Sequence, residues 1–358
     1  MTQKKVLSGT PMSLQETITK EELRDDAKIK FQQAGYALSD ATTGSSAFDF
    51  IAKKNNRLLS KKIVTKVIVD LDLFKKQTSI ELQLISNLIS GFPLLVSHAA
   101  AGKSMDDATL YRRHDVSAIS LRTLHEYLEY EKGMKVPSIS KFAHRGGIYV
   151  NISKERLKER RKKLKLSLSI LSQQVGLSRL SLYRYEKGET SPKLRNYRML
   201  IDALGGEDLD TPLDILETEF KFLQRHELKE FTKPHSQLQK EISTYLEDKD
   251  FDVLWFKKSE PFDGLSAPTI DFTTTKRPMD ADYPIITGVE SEDRNDTIRI
   301  TLLNKLSHFL RKKAIWFIED DSPESISPSE KPSHFIVVKV SDLEQMADKD
   351  FKKLVKKR

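Results

Sequence analysis

The chain is 358 residues long, with 38% hydrophobic and 31% charged residues, a polar but globular composition that suggests two or three domains. It has no cysteine, which excludes disulfides, thiolate zinc sites and cysteine nucleophiles together and fits a reducing, cytoplasmic interior. The formal net charge of +8 is concentrated: residues 153–200 hold fourteen Lys or Arg against four Asp or Glu, so a polyanionic partner is expected there.

The chain opens on MTQKKVLSGT, which lacks the apolar core of a secretory leader. No apolar run approaches the length needed to span a bilayer; the longest, around 92–96 and 314–318, are strand-sized. A polar helix is expected over 20–33. Behind it, "SSAFDFIAKK", "KIVTKVIVDLD" and "ELQLISNLISGFPLLVS" read as a strand pair, a helix and a strand, trailed by a further strand and helix. "SHAAAGKS" ends like a phosphate loop, but the glycine that such a loop needs five positions before Gly102 is Ser97 here. An exposed loop is expected instead.

"RRHDVSAISLRTLHEYL" and "KFAHRGGIYVNI" lead toward the centre, with the single RGG at 145–147 read as a turn. "NISKERLKERRKKLKL" then gives a helix capped by Ser153, with Leu157 and Leu164 on its inner face. Ser167 caps the next helix, which places Leu168, Leu171 and Val175 at helical spacing and ends at Gly176, a residue that tolerates positive φ. Ser178 caps a third helix that turns Leu182 and Tyr185 inward and stops at Gly188. Ser191 reads as the cap and Pro192 as the first residue of a fourth, with Leu194, Tyr197, Leu200 and Ile201 inward before Gly205 and Gly206. A short helix, a glycine turn and a second short helix with exposed polar residues form a helix-turn-helix unit, whose second helix suits the major groove.

Beyond the centre, a polar helix over 237–247 leads "SEPFDGLSAP", "PIITGVESED" and "LLNKLSHFLRKKAIWFIED", and the pattern of the first flank returns. Thr65 precedes Ser86 by about as much as Thr287 precedes Ser307, and the step from Ser86 to Val96 matches that from Ser307 to Phe317. The flanks therefore read as diverged copies of one small α/β domain. The basic tail "FKKLVKKR" reads as a frayed terminus. The eight histidines show no paired metal-ligand spacing, and no nucleophile motif such as Gly-x-Ser-x-Gly appears.

The stretch "RLKERRKKLKLSLSILSQQVGLSRLSLYRYEKGETSP" resembles the Cro/C1-type helix-turn-helix domain of repressors over about 152–206. The resemblance implies base-edge contacts from Arg179, Leu180 and Arg184. The arginines would donate paired hydrogen bonds to guanine, and Leu180 would meet a thymine methyl. It implies backbone-amide and hydroxyl anchors at Ser178 and Ser181, and phosphate partners in Lys187, Lys193 and Arg195. Leu168 departs from the pattern, since many members carry a phosphate-reaching Gln there. Tyr183 is expected on the surface, and Tyr185 and Glu186 are expected to be structural.

The order of elements in each flank is similar to the restriction-endonuclease-like, or PD-(D/E)xK, fold, in which two carboxylates hold Mg²⁺ and a lysine positions water. Asp49 and Asp263 fall at the first carboxylate position. Thr65 and Thr287 stand at the second, and neither strand carries Glu-x-Lys, so a non-cutting scaffold is expected. The complete arrangement resembles archaeal transcriptional regulators that flank a Cro/C1 domain with such modules.

The expected fold class is thus α+β multidomain, a central all-α helix-turn-helix domain between two small α/β domains. The divisions are 1–136 for a non-catalytic nuclease-like domain, 137–152 for a connector hairpin, 153–217 for the DNA-binding domain, and 218–358 for the diverged repeat. The expected function is sequence-specific regulation of transcription on double-stranded DNA, as a homodimer joined through the flanks, with no catalytic residue, metal, cofactor or membrane. The expected place is the cytoplasm, at the nucleoid, and a protein or small-molecule effector is left open. The alternatives are a metal-dependent nuclease and a protein-bridging coactivator.

Overall fold

The computed structural model describes residues 18–41, 46–55, 60–133, 139–144, 146–206, 209–216, 232–257, 260–268, 283–291, 295–320 and 334–356. The polar opening stretch, Arg145, and the expected domain divisions at 136/137 and 217/218 lie outside the described residues.

Helix α1 (Lys20–Gln33) starts at a capping box, in which Thr19 Oγ1 accepts from the Glu22 amide and the Glu22 carboxylate accepts from the Thr19 amide. Strands β1 (Ala37–Asp40), β2 (Phe50–Asn55) and β3 (Ser60–Asp70) form an antiparallel meander. Helix α2 (Lys76–Leu88) crosses over to β4 (Phe92–Ala100), parallel to β3, and a hairpin of β6 (Thr109–Arg113) and β7 (Val116–Ile119) brings β7 parallel to β4. Helix α3 (Leu121–Glu131) follows.

The expected loop around Gly102 is instead a tight hairpin. Short strand β5 (Lys103–Ser104) folds back on β4 through Ala101 and Gly102, both at positive φ, and Asp70 Oδ2 accepts the Gly102 amide at 2.7 Å. Strand β1 was not legible as a strand, because its four residues sit at the sheet edge with an exposed–intermediate–intermediate–exposed pattern and no apolar alternation.

Next comes a hairpin of β8 (Lys141–His144) and β9 (Gly147–Val150). Strand β8 pairs parallel with β6, so the hairpin extends the first sheet, whose order is β1-β2-β3-β4-β7-β6-β8-β9. Four helices follow: α4 (Lys154–Lys163), α5 (Leu168–Val175), α6 (Arg179–Lys187) and α7 (Leu194–Ala203). Then come α8 (Gln237–Glu247), β10 (Phe251–Trp255), β11 (Gly264–Pro268), β12 (Ile285–Val289), α9 (Asp296–Leu310), β13 (Ala314–Ile318), β14 (Phe335–Lys339), α10 (Val340–Gln345) and α11 (Asp348–Lys356).

The second sheet runs β10-β11-β12-β13-β14, with two antiparallel and then two parallel pairings. That is the sequence of pairings found along β1-β2-β3-β4-β7. The basic tail is not frayed as expected. Over its described residues, 351–356, it belongs to α11, amphipathic at helical spacing, which buries Phe351 and Val355 and sets the Phe351 ring edge-on to Phe251 at 5.1 Å.

The first sheet is covered on both faces, and its strands alternate accordingly. Phe50, Val67 and Val96 join Phe31 of α1 and Leu124 of α3 in one core. Ile51, Val64 and Leu95 point the other way, to Leu82 and Ile85 of α2, in a core continuous with that of the second sheet. At the seam the rings of Phe48 and Phe262 stack at 6.1 Å, Ser46 Oγ donates to the Glu260 carbonyl, and Lys53 Nζ donates to the Phe309 carbonyl at 2.8 Å. The two modules thus bury apolar surface on each other within one chain. Among the described residues, no helix is long and apolar enough to cross a membrane.

Candidate nucleic-acid interface

The four central helices enclose a small core of Leu157, Leu171, Val175, Leu182, Tyr185, Leu200, Leu204 and Leu209. Ser153, Ser167 and Ser178 each cap their helix by accepting the amide three residues on. Gly176 (φ +62°) and Gly188 (φ +72°) end α5 and α6 in the left-handed region, so the corner between these helices is as tight as the spacing implied.

Arg161 holds α4 to α6. Its Nε and Nη2 donate to the two Glu186 oxygens at 2.5 and 2.9 Å, and its Nη1 donates to the Leu166 carbonyl. The Glu186 hydrogen bond raises the guanidinium pKa further against the opposing effect of burial. Glu186 is thereby structural.

Two readings in this unit need correction. Leu164 is not on the inner face: it is the C-cap that follows the last helical residue, Lys163, and is 40% exposed. Ser191 and Pro192 do not start the fourth helix. The Pro192 carbonyl accepts the Val150 amide, and Lys193 bridges to Tyr149, so the chain is drawn onto β9 until Lys193, which caps α7.

Arg179, Leu180, Tyr183, Arg184 and Lys187 recur at the spacing of one helix face, and all five are exposed, while Leu182 and Tyr185 on the opposite face are buried. Ser178 Oγ is committed to the cap, accepting the Ser181 amide at 3.0 Å and lying 2.8 Å from Ser181 Oγ. Lys187 Nζ sits 5.6 Å from the centroid of the Tyr183 ring. Arg195 is exposed at the start of α7. Lys193 is exposed too, but its amine lies over the Tyr149 ring at 5.9 Å, against the hairpin of the first sheet.

Beside α6 the surface forms a concavity of about 490 Å³, lined by Lys154, Lys158, Leu168, Tyr183 and Lys187 together with Glu155 and Glu186. Lys154 and Lys158 were missed as site residues, since their charge run on α4 looks the same in sequence whether it meets a ligand or bulk water. Leu168, where a Gln was the expected phosphate contact, forms part of the wall.

The helix-turn-helix unit is held at both ends. Ser153 N donates to Leu209 O, Thr211 N to Asn151 O and Leu213 N to Ile139 O, after which Ile215 and Leu216 are buried in the core of the first sheet. The unit is therefore oriented by that sheet rather than carried on a free linker.

The two candidate Mg²⁺ positions are built alike and spent alike. Asp49 N donates to Thr65 O and Asp263 N to Thr287 O, both at 2.8 Å. Asp49 Oδ2 accepts the Val67 amide at 2.7 Å and Asp263 Oδ2 accepts the Val289 amide at 2.8 Å. Each strand partner lies two residues past its threonine.

In the first module Asp49 is bracketed by Lys20 Nζ at 2.8 Å and Lys66 Nζ at 3.4 Å. Burial pushes the Lys66 amine pKa down against the pull of Asp49. In the second, Arg299 Nη2 takes Asp263 Oδ2 at 2.5 Å. The position that would need a second carboxylate holds the Thr65 hydroxyl, buried without a hydrogen-bond partner, in one copy, and the Thr287 hydroxyl, 2.6 Å from Ser266 Oγ, in the other. A carboxylate already matched to one or two protein cations, with a threonine at the second acid position, does not fit a divalent metal; Asp296, which comes near Asp263, is held by the same Arg299 guanidinium. Among the described residues no group of three His, Cys, Asp or Glu is placed to hold one.

This geometry defines a mixed α/β protein in which a nuclease-like sheet module is joined to a helix-turn-helix unit. Residues 20–133 match the PD-(D/E)XK superfamily domain, and residues 157–211 match the helix-turn-helix family. Over most of its length the chain is similar to archaeal proteins that carry the provisional name of HTH-type transcriptional regulatory protein. The one from Pyrococcus furiosus is 24% identical over 330 residues, covering 92% of this chain and 96% of that protein. The one from Methanocaldococcus jannaschii is 26% identical over 313 residues, 85% and 86% of the two chains. A Methanosarcina acetivorans protein of the same name is 30% identical over 202 residues, 56% and 58% of the two chains.

Proposed function

We propose that this protein is a sequence-specific, double-stranded DNA-binding regulator of transcription, acting in the cytoplasm at the nucleoid. The observation that carries the proposal is the exposed stripe Arg179, Leu180, Tyr183, Arg184 and Lys187 on α6, flanked by the lysine-lined concavity. Side chains on such a stripe reach base edges when the helix lies in the major groove, while the lysines fall where phosphates pass. In this reading Arg179, Leu180 and Arg184 read bases. Ser178 and Ser181 anchor the helix start, and Lys187, Lys193 and Arg195 meet phosphates, joined by Lys154 and Lys158. The names of the archaeal relatives support the same role.

The domain divisions follow the proposal: a nuclease-like module up to about residue 136, the hairpin, the DNA-binding unit over 153–217, and a diverged repeat of the first module thereafter. Neither module is proposed to cut, because both acids are matched by protein cations and a threonine stands at the second acid position of each. One labelled-duplex experiment checks both statements. Binding should fall steeply as salt rises, by close to one power of salt concentration per phosphate contact. The duplex should stay intact with Mg²⁺ or Mn²⁺ present. Metal-dependent cleavage lost in Asp49→Ala would make the protein a nuclease, and absence of salt-sensitive binding would favour a protein-bridging role.

A helix-turn-helix unit reads one half-site, so we propose that two chains act on a pseudo-palindrome with half-sites about one helical turn apart. Because the sheet modules face each other within one chain, the second copy has to meet a different surface. Light scattering on the complex with the preferred duplex should give two chains per site; one chain per site would remove this part of the proposal.

A further inference from the structure

Between α3 and the segment that leaves the helix-turn-helix unit lies a cavity of about 290 Å³, close to the lower end of small-molecule pockets. Tyr127 and Tyr130 of α3, with Ile139, Pro212 and Leu213, make it mostly apolar, and among the described residues its charged lining consists of the acids Glu126 and Asp214. Among its described lining residues there is no Lys or Arg.

The acids are not equivalent. Asp214 Oδ1 accepts the Leu216 amide at 2.9 Å. Glu126 Oε1 lies 3.5 Å from Arg122 Nε, while its Oε2 is closed off from solvent with no hydrogen-bond partner. An unpaired buried carboxylate oxygen is costly and calls for a donor. The last torsion of a glutamate is soft, so a donor seated in the cavity can reach that oxygen by a small rotation.

The aromatic wall is set in place. Tyr127 Oη donates to Glu131 Oε1 at 3.0 Å and accepts from Lys61 Nζ at 2.6 Å, and Tyr36 donates to Glu131 Oε2 at 2.7 Å. Burial raises the pKa of the Tyr127 phenol, and the neighbouring Glu131 adds to this, so the ring stays a neutral wall throughout the working pH range. Tyr130 is 53% exposed at the mouth.

We propose that this cavity is the binding site of a small protonated amine with an apolar or aromatic body. Its ammonium group donates to Glu126 and is attracted by Asp214 and the tyrosine faces. A neutral ligand brings no positive charge to the two acids, a carboxylate ligand meets two like charges, and a quaternary ammonium has no N–H for Glu126 Oε2. The far wall, Pro212 to Asp214, belongs to the strap that runs from Leu209 in the helix-turn-helix core to Ile215 in the core of the first sheet. The site is thus placed where its occupancy changes how firmly the DNA-binding unit is held. It stands independently of the DNA-binding reading, because the test uses the free protein.

Titration calorimetry on the full chain with phenethylammonium chloride, phenylacetate and phenethyl alcohol tests the site. The amine should bind saturably and the other two should not. Glu126→Gln and, at the exposed mouth, Tyr130→Ala should each weaken the amine, Glu126→Gln by about tenfold or more, the loss of one charge-assisted hydrogen bond. Hydrogen exchange over 209–216 should slow with the amine present, reporting on the Thr211 and Leu213 amides that tie the strap down. Equal binding of the three compounds, no saturable binding of the amine, or affinity unchanged in both variants would overturn the site. Binding that leaves exchange over 209–216 unaltered would overturn its link to the strap.

Discussion

Arg184→Ala is expected to weaken binding to the preferred duplex by about 1–3 kcal/mol, with a much smaller loss on random DNA. Arg179→Ala should behave in the same way. Both side chains are exposed on the outer face of α6, and their removal leaves the buried partners Leu182 and Tyr185 untouched, so the fold is not at stake. A guanidinium placed against guanine makes two hydrogen bonds that a wrong base cannot return, so the loss falls on the correct sequence and appears as relaxed preference at one position. Lys158→Ala provides the contrast. Lys158 lines the concavity beside α6 and is proposed to meet a phosphate, which every sequence presents alike.

The loss from Lys158→Ala should therefore be uniform, and the slope of log affinity against log salt should flatten by roughly one unit. Lys193→Ala should also act uniformly, with the added loss of its packing on Tyr149. Competition titrations of each variant on the preferred and a scrambled duplex separate the two classes. If the arginine and lysine variants lose affinity on both duplexes equally, α6 does not lie in the groove.

The helix-turn-helix unit was legible because each boundary is set by a residue with one physical job: serines that cap, glycines that take positive φ. Even there the start of α7 was misplaced. Ser191 and Pro192 have the local chemistry of a helix start, yet their backbone is drawn to β9, forty residues upstream, and local chemistry has no way to announce that pairing. The flanking sheets were legible wherever strands are buried on both faces and run apolar, as in β4 and β13. Edge strand β1 escaped because a half-exposed tetrapeptide has too little pattern to stand out.

The largest miss was tertiary. Apolar strands in two modules announce that surface will be covered, but not by what, and the stacked Phe48 and Phe262 show the cover to be the same chain. At the candidate site, the charge run showed that a polyanion would be attracted, whereas the lysines that share one concavity emerged only when α4 was laid beside α6. The partners of Asp49 and Asp263 were likewise out of reach of spacing, since Lys20 lies on a preceding helix and Arg299 on a following one.

The neutralised acid of the second module is expected to be far more important for stability than that of the first. The side chains of Asp263 and Arg299 are each only 3% exposed. Arg299 gives Nη2 to Asp263 and Nη1 to Asp296 Oδ1 (2.6 Å) and the Val289 carbonyl (3.0 Å), while its guanidinium lies 4.8 Å from the centroid of the Trp316 ring. Arg299→Ala removes the cation and leaves the Asp263 carboxylate buried, a change that costs about 3–5 kcal/mol in comparable buried pairs. Adding Asp263→Asn should restore part of that loss, because an amide needs no counter-charge and can still accept the Val289 amide.

In the first module, Lys20→Ala should cost less than about 1 kcal/mol, since Lys20 is one-third exposed and Lys66 stays beside Asp49. Trp255 and Trp316 both lie in the second module, so their fluorescence reads Arg299→Ala where it occurs, and circular dichroism in the same urea series reads Lys20→Ala in the first. Equal, small losses for Lys20→Ala and Arg299→Ala would mean that the buried pair contributes little. A large loss that Asp263→Asn does not relieve would assign the effect to packing against Trp316 instead of to the stranded charge. Partial rescue by the second substitution identifies the Asp263 carboxylate as the buried group that needs the Arg299 cation for the fold.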